Sequence, residues 1–342
     1  MNRNIFKELS PVWLGAGTGG LLIVILFATE TVFGRWQLLL TEEGFDAFAR
    51  VSTGELRDFR IAVIHCLLVG YLAGALLYIV RSSRQIVLML QGVLNCTREE
   101  CEKIASSVKL SVGGLIVVGV LGFATALAGP YLVPPIPEAP WTPSSWSPEV
   151  AWHRILGTVA TVGSWWMGYA IVTMSIRLSN IAKKLQKIDL FDLSPMAPFT
   201  QFGLRNALLL AGSLSIWSLM MFETGFGQIM LFVGGITLVS MGFALFLPVY
   251  GVHKRIQQSK NEELVWLTNE IAKQRHGFQN PSGIKTSGEM ADIITYRGLV
   301  ESVSDWPFTM STYARLVFYA LIPLLSWGIS IISEEIVGRL LF

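Results

Sequence analysis

Long runs of apolar residues, almost free of charged side chains, are the main feature of this sequence. Seven runs lie at about 14–34, 61–80, 110–132, 155–176, 205–222, 228–250 and 314–334. A helix needs about 20 apolar residues to cross a hydrocarbon layer about 30 Å thick. Because lipid cannot satisfy backbone N–H and C=O groups, each run must be helical. The pattern predicts an all-α fold, a polytopic membrane helical bundle with about seven transmembrane helices.

Composition excludes several other classes of protein. Apolar residues make up 52% of the chain and charged residues 15%, whereas globular domains usually carry about 25% charge. Porin-type strands would alternate apolar and polar residues, and these runs do not. A net charge of +2 without a basic domain predicts no nucleic-acid partner. Phosphate-binding glycine loops, HExxH and nucleophile elbows are all missing from the sequence, so we predict no enzyme, no catalytic residue and no metal centre.

The distribution of lysine and arginine predicts the orientation in the membrane. Of the 26 Lys and Arg residues, 20 lie in the segments 1–13, 81–109, 177–205 and 251–315, which alternate with the other connecting segments. Cytoplasmic loops are enriched in these residues. We therefore expect the N-terminus in the cytoplasm, the C-terminus outside, and a multi-pass protein of the cell inner membrane (a prokaryotic plasma membrane). Cytoplasmic helical extensions are expected on the basic side.

The spans and loops divide the chain into three parts. Residues 1–253 form a transmembrane bundle of six spans, 254–305 a cytoplasmic helical hairpin, and 306–342 the last transmembrane helix. The outer loop at 130–148 holds seven of the fourteen prolines. Proline at this density favours an extended strap rather than a helix.

Local signals predict where three helices begin or end. Thr97 and Glu100 have the capping-box spacing, so a helix is expected to start near Arg98. Ser194 followed by proline predicts an N-cap before the fifth span. The sequence Asp305-Trp306-Pro307 is expected to end the second helix of the hairpin.

Polar residues within or beside the spans are the candidates for an ion path. A charged side chain inside a membrane costs about 2.5–3.5 kcal/mol on insertion scales, so Glu30 in the first span is a functional candidate. Glu223 follows the fifth span, and Ser326 and Ser330 share one stripe of the last span. In a symmetric oligomer one glutamate per subunit would form a ring that selects cations. The alternatives are that Glu30 reaches the membrane surface or pairs with an arginine, and that the serines bond across helices.

Two histidines are weak candidates for binding haem. His65 lies about one turn inside the second span and His153 borders the fourth, at a similar predicted depth. Axial histidines on two helices hold b-type haem in helical bundles. The alternative is an isolated histidine that hydrogen-bonds inside the bundle. Cys96 and Cys101 have the wrong spacing for a CxxC pair, and on the cytoplasmic side we expect reduced thiols.

Glycines in the first two spans predict close helix packing. Gly15 and Gly19, and again Gly70 and Gly74, have the four-residue spacing that lets membrane helices approach closely. The residues alone leave open whether each pair faces another subunit or another helix of the same chain.

These observations leave three functional hypotheses. The first is an oligomeric channel or transporter subunit that passes a small ion, because otherwise Glu30 has no clear purpose. The second is a non-catalytic accessory, scaffold or signalling subunit of a larger membrane complex. The third is a haem- or metal-binding redox subunit; the first two predict no cofactor. The expected partners are the lipid bilayer and either further copies of the chain or other subunits.

Overall fold

The computed structural model describes residues 10–32, 55–94, 96–132, 148–183, 185, 188–219, 227–277, 287–323 and 325. All regular structure within these ranges is helical, which confirms the prediction of an all-α fold. Five helices are long and apolar enough to cross a membrane: Pro11–Val32, Ile61–Met89, Arg98–Ala128, Ala151–Ala182 and Gly234–Arg275. In its described part the chain is therefore all-helical, with several helices of a length and apolarity that suit crossing a membrane.

The helices follow one another with few long connections. In chain order they are α1 (Pro11–Val32), α2 (Glu55–Met89), the single turn α3 (Gln91–Leu94), α4 (Arg98–Ser107), α5 (Val112–Leu132), α6 (Pro148–Ala182), a 3₁₀ turn (Ser194–Met196), α7 (Ala197–Ser218), α8 (Gly227–Gly277), α9 (Ser287–Ser302) and α10, which is helical from 310 to 323. At 51 residues, α8 is about 75 Å long, far longer than the hydrocarbon layer. The predicted helical continuation of the sixth span is therefore confirmed.

Helices α2 and α6 form the centre of the bundle. α2 packs against α1, α6 and α7, while α6 also packs against α5 and α8. Large side chains such as Ile79, Met174 and Phe202 are fully buried in the core between these helices. By contrast, apolar residues of the peripheral helices, among them Val24 on α1 and Val120 on α5, are exposed. An apolar surface of this extent is expected to face lipid or another subunit.

Two of the seven predicted spans are not among the five membrane-length apolar helices. The predicted span 205–222 largely coincides with α7, whose buried residues include Asn206, Ser213 and Ser218. α7 is enclosed by α2 and α8, so these three polar side chains face protein. The predicted span 314–334 is described as helix only to residue 323, and its remainder lies largely outside the described residues.

The predicted capping box at the start of α4 is confirmed. The Glu100 N–H donates to Thr97 Oγ1 at 3.3 Å, and the Thr97 N–H donates to Glu100 Oε2 at 2.8 Å. Cys96 precedes this cap and Cys101 follows it, and their Cα atoms are 5.9 Å apart in a disulfide. Cys96 and Cys101 occupy the N′ and N4 positions of α4, where two apolar side chains often pack together as a hydrophobic staple. The expectation of two separate reduced thiols is therefore wrong.

The predicted N-cap at Ser194 is also wrong. The chain bends earlier, because Asp192 Oδ1 accepts a hydrogen bond from the Ser194 N–H at 3.0 Å. Ser194 then begins the 3₁₀ turn, with Pro195 in its first turn, and α7 follows from Ala197. The aspartate turn replaces the serine cap as the start signal of this segment.

The long extension of α8 and helix α9 form a hairpin that is joined by a lysine. Lys260 Nζ on α8 donates to the carbonyl oxygens of Glu301 and Val303 at 2.9 and 2.8 Å, and lies 3.3 Å from Asp305 Oδ1. A cation at the end of a helix satisfies carbonyls that have no partner within the helix. α9 ends at Ser302, close to the stop predicted from the Asp305 motif.

Candidate functional site

The four glycines predicted to pack closely lie at one interface within the chain, between α1 and α2. A Cβ atom placed on Gly70 would lie 2.6 Å from the Gly15 carbonyl oxygen and 2.8 Å from the Gly19 Cα. On Gly74 it would lie 2.7 Å from the Pro11 carbonyl oxygen. Since these contacts are with backbone atoms, the two helices approach as closely as glycine permits. The contacts also make α1 and α2 antiparallel, so the end of α1 lies beside the beginning of α2.

Glu30 lies at that end of α1 and is enclosed by the protein. Its side chain is buried, with 3% of the residue exposed. The preceding residue, Thr29, accepts a hydrogen bond from Trp152 Nε1 of α6 at 3.1 Å. We call this part of the molecule, where α1 ends and α2 and α6 begin, the Glu30 end of the bundle. The carboxyl group is therefore enclosed by protein, and both its depth in a membrane and its pairing with an arginine stay predictions.

His65 and His153 meet at the same end of the bundle. Their ring centroids are 5.0 Å apart with the planes at 61°, and the Trp217 ring of α7 lies 6.3 Å from His65. Only 1% of His65 is exposed. Its Nδ1 hydrogen-bonds to the Ile61 carbonyl oxygen at 2.9 Å, which places the proton on Nδ1. In the neutral ring Nε2 then carries a lone pair, and Gly157 provides room beside it.

The histidine pair does not fit a haem. An imidazole bonded to a metal at about 2 Å has its ring centre about 3 Å from the metal, so two axial rings would lie about 6 Å apart. The observed separation of 5.0 Å, with tilted planes, leaves no room for a porphyrin between the rings. Within the described ranges, no group of three or more His, Cys, Asp or Glu residues could hold a metal ion.

Tyr71 places a second polar group further into the bundle. Its hydroxyl donates to the Leu209 carbonyl oxygen of α7 at 2.8 Å. Gly212 makes this contact possible, because a Cβ atom there would lie 2.5 Å from the tyrosine hydroxyl. The contact joins the central helix α2 to α7, between the histidine pair and the opposite end of the bundle.

Asn206 is a buried polar residue that sequence reasoning missed. It lies on α7 and is completely buried, and neither its Oδ1 nor its Nδ2 has a hydrogen-bond partner in the part of the chain that the structure describes. The sequence shows an asparagine beside Arg205 near the start of a predicted span, which looks like a polar end of a helix. Its burial depends on how α2 and α8 enclose α7, and no local sequence pattern indicates which helices become its neighbours.

The remaining predicted path residues lie outside the described ranges. Glu223 lies between α7 and α8, and Ser326 and Ser330 follow the last described residue. Their contribution to an ion path stays a prediction.

At the opposite end of the bundle, the motif around Trp306 packs on α8. His253 Nδ1 hydrogen-bonds to the Asp305 carbonyl oxygen at 2.8 Å, and its ring stacks on Trp306 with centroids 3.9 Å apart. Phe308 stacks on Trp306 at 5.4 Å, and Phe246 meets both rings edge-on. From the sequence, this motif predicted only the end of a helix. Its residues also attach the end of the hairpin to α8.

No protein-family model, curated protein sequence or solved structure matches the chain.

Proposed function

We propose that the protein is an oligomeric channel or transporter subunit that passes a small cation through its helical bundle. In this proposal the chain has seven spans with the N-terminus in the cytoplasm, as the alternation of basic segments predicts. The Glu30 end then faces outward, because α1 runs from the cytoplasm to the outside.

The observation that supports this proposal is the burial of Glu30, together with the contact between the buried His65 and the half-buried His153. Ionisable side chains within the membrane are costly and are usually retained where they act on an ion or a proton. Glu30, His65 and His153 come from three different helices, and all three lie in the half of the bundle that includes the Glu30 end. A carboxylate there lowers the energy of a cation that enters from outside.

A flux measurement on Glu30→Gln tests the proposal. Glutamine keeps the size of the side chain and removes its charge, so we expect cation flux in proteoliposomes to fall roughly tenfold or more, equivalent to about 1.4 kcal/mol. The matched control is Glu99→Gln on α4, where the glutamate is exposed. It should pass cations at the wild-type rate. Equal rates for wild type and Glu30→Gln would remove Glu30 from the path.

A second candidate is an accessory or scaffold subunit, and the hairpin supports it. The α8–α9 hairpin extends about 35 Å along α8 beyond residue 253. It exposes large apolar residues, among them Trp266 and Ile294. Exposed apolar residues outside the membrane often mark a protein interface. If this function is correct, Trp266→Lys should reduce co-purification of a partner while ion flux stays at the level of empty vesicles.

A further inference from the structure

The amide of Asn206 is completely buried and has no hydrogen-bond partner among the residues that the structure describes. Asn206 shares one face of α7 with Phe202 and Leu209, since residues three or four apart in a helix lie one above the other. Phe202 belongs to the core formed with α2 and α6, and Leu209 packs against it. Burying an amide without a hydrogen bond costs about 2–7 kcal/mol. An apolar residue of the same shape would avoid this cost.

Asn206 continues a line of buried polar groups that begins at the histidine pair. The Tyr71 hydroxyl meets the Leu209 carbonyl, and Leu209 is less than one helical turn from Asn206. The polar side chains of His65, Tyr71 and Asn206 therefore lie one after another along the interface between α2 and α7, in the direction away from the Glu30 end.

A fourth buried group lies beyond Asn206 on α6. The hydroxyl of Ser175 is fully buried and has no hydrogen-bond partner among the residues that the structure describes. α2 and α6 run parallel, because His65 faces Gly157 and Leu72 faces Gly163. Ser175 therefore lies near the level of Ser83, closer than Asn206 to the opposite end of the bundle.

We propose that Asn206 is the inner ligand of the transported cation, with its carboxamide oxygen replacing part of the hydration shell. This inference rests on the proposed function and extends it from the Glu30 end into the bundle. Oxygen ligands of this kind suit hard cations, and Nδ2 can donate to a water molecule that accompanies the ion. The ion that this site would bind is a small cation held by oxygen atoms. Both a hydrated alkali ion and a proton carried by water fit that description.

The decisive variant is Asn206→Leu, which keeps the branched shape of the side chain and removes both polar atoms. We expect cation flux in proteoliposomes to fall at least tenfold, while the melting temperature of the purified variant equals or exceeds that of the wild type, since an unpartnered amide is removed. Separate sodium, potassium and pH gradients distinguish an alkali ion from a proton. The matched control is Ser215→Ala on the same helix, whose hydroxyl donates only to the Ala211 carbonyl in the described contacts; it should keep wild-type flux.

Two results would overturn the inference, and they are distinguishable. If the wild type passes cations and Asn206→Leu passes them equally well, Asn206 is not a ligand but the proposed function survives. If the wild type passes no cation above empty vesicles, the proposed function fails and the inference fails with it. Should Asn206→Leu not fold, Asn206→Ala decides by the same comparison of flux with wild type and Ser215→Ala.

Discussion

Replacing Gly70 by alanine should destabilise the bundle by forcing α1 and α2 apart. The new methyl group would lie 2.6 Å from the Gly15 carbonyl oxygen and 2.8 Å from both Cα and N of Gly19. All three atoms belong to the backbone, so no side-chain rotation can relieve the overlap and one helix must move. Overpacking of this kind costs about 1–3 kcal/mol, which corresponds to a fall in melting temperature of roughly 2–10 °C.

The measurement is a thermal unfolding curve of the purified protein in detergent. Gly17→Ala is the matched control, because it adds the same methyl group to the same helix pair at a position where no described atom lies within 4 Å. We expect its melting temperature to stay within about 1 °C of the wild type or to rise slightly, since alanine favours helix. Equal melting temperatures for Gly70→Ala and Gly17→Ala would refute the assigned helix contact.

Two further predictions concern the hairpin and the turn before α7. Lys260→Met should destabilise the attachment of α9 by about 0.5–1.5 kcal/mol, because it removes the donor to the Glu301 carbonyl and to the partly buried Val303 carbonyl. Faster proteolysis of the hairpin would report this loss. Lys273→Met, which breaks an exposed ion pair, should change the rate little. Hydrogen bonds from the Ser194 side chain and then its backbone lower the pKa of Asp192, so the turn is fully stabilised above the ordinary aspartate pKa of about 4 and loses this contribution as pH falls through the lowered value. Amide exchange at Ser194 should therefore rise at acidic pH in the wild type relative to Asp192→Asn, and identical pH dependence in both proteins would contradict the assignment.

Local features of the chain were predictable because their causes lie within a few residues. The capping box needs only Thr97 and Glu100, which are three positions apart. The membrane-length helices follow from continuous runs of apolar residues. The glycine motifs were recognised for the same reason. Their partner was not predictable, since nothing in either motif specifies that Gly70 packs on Gly15 of the same chain.

Features that depend on which helices become neighbours could not be read from the sequence. His65 and His153 were similar in predicted depth, but only the parallel packing of α2 and α6 brings their rings into contact. Asn206 looked like the polar start of a span, whereas the surrounding helices bury it completely. Lys260 hydrogen-bonds to Glu301 and Val303, which lie more than 40 positions further along the chain. A lysine in an exposed amphipathic helix gives no local sign of this contact.

The most direct test of the proposed function is cation flux through the purified wild-type protein in liposomes. Under an imposed sodium, potassium or proton gradient, vesicles that contain the protein should dissipate at least one of these gradients faster than empty vesicles prepared in parallel. If all three gradients persist as long as in empty vesicles, with the protein shown to be folded and inserted, the chain is not a cation path.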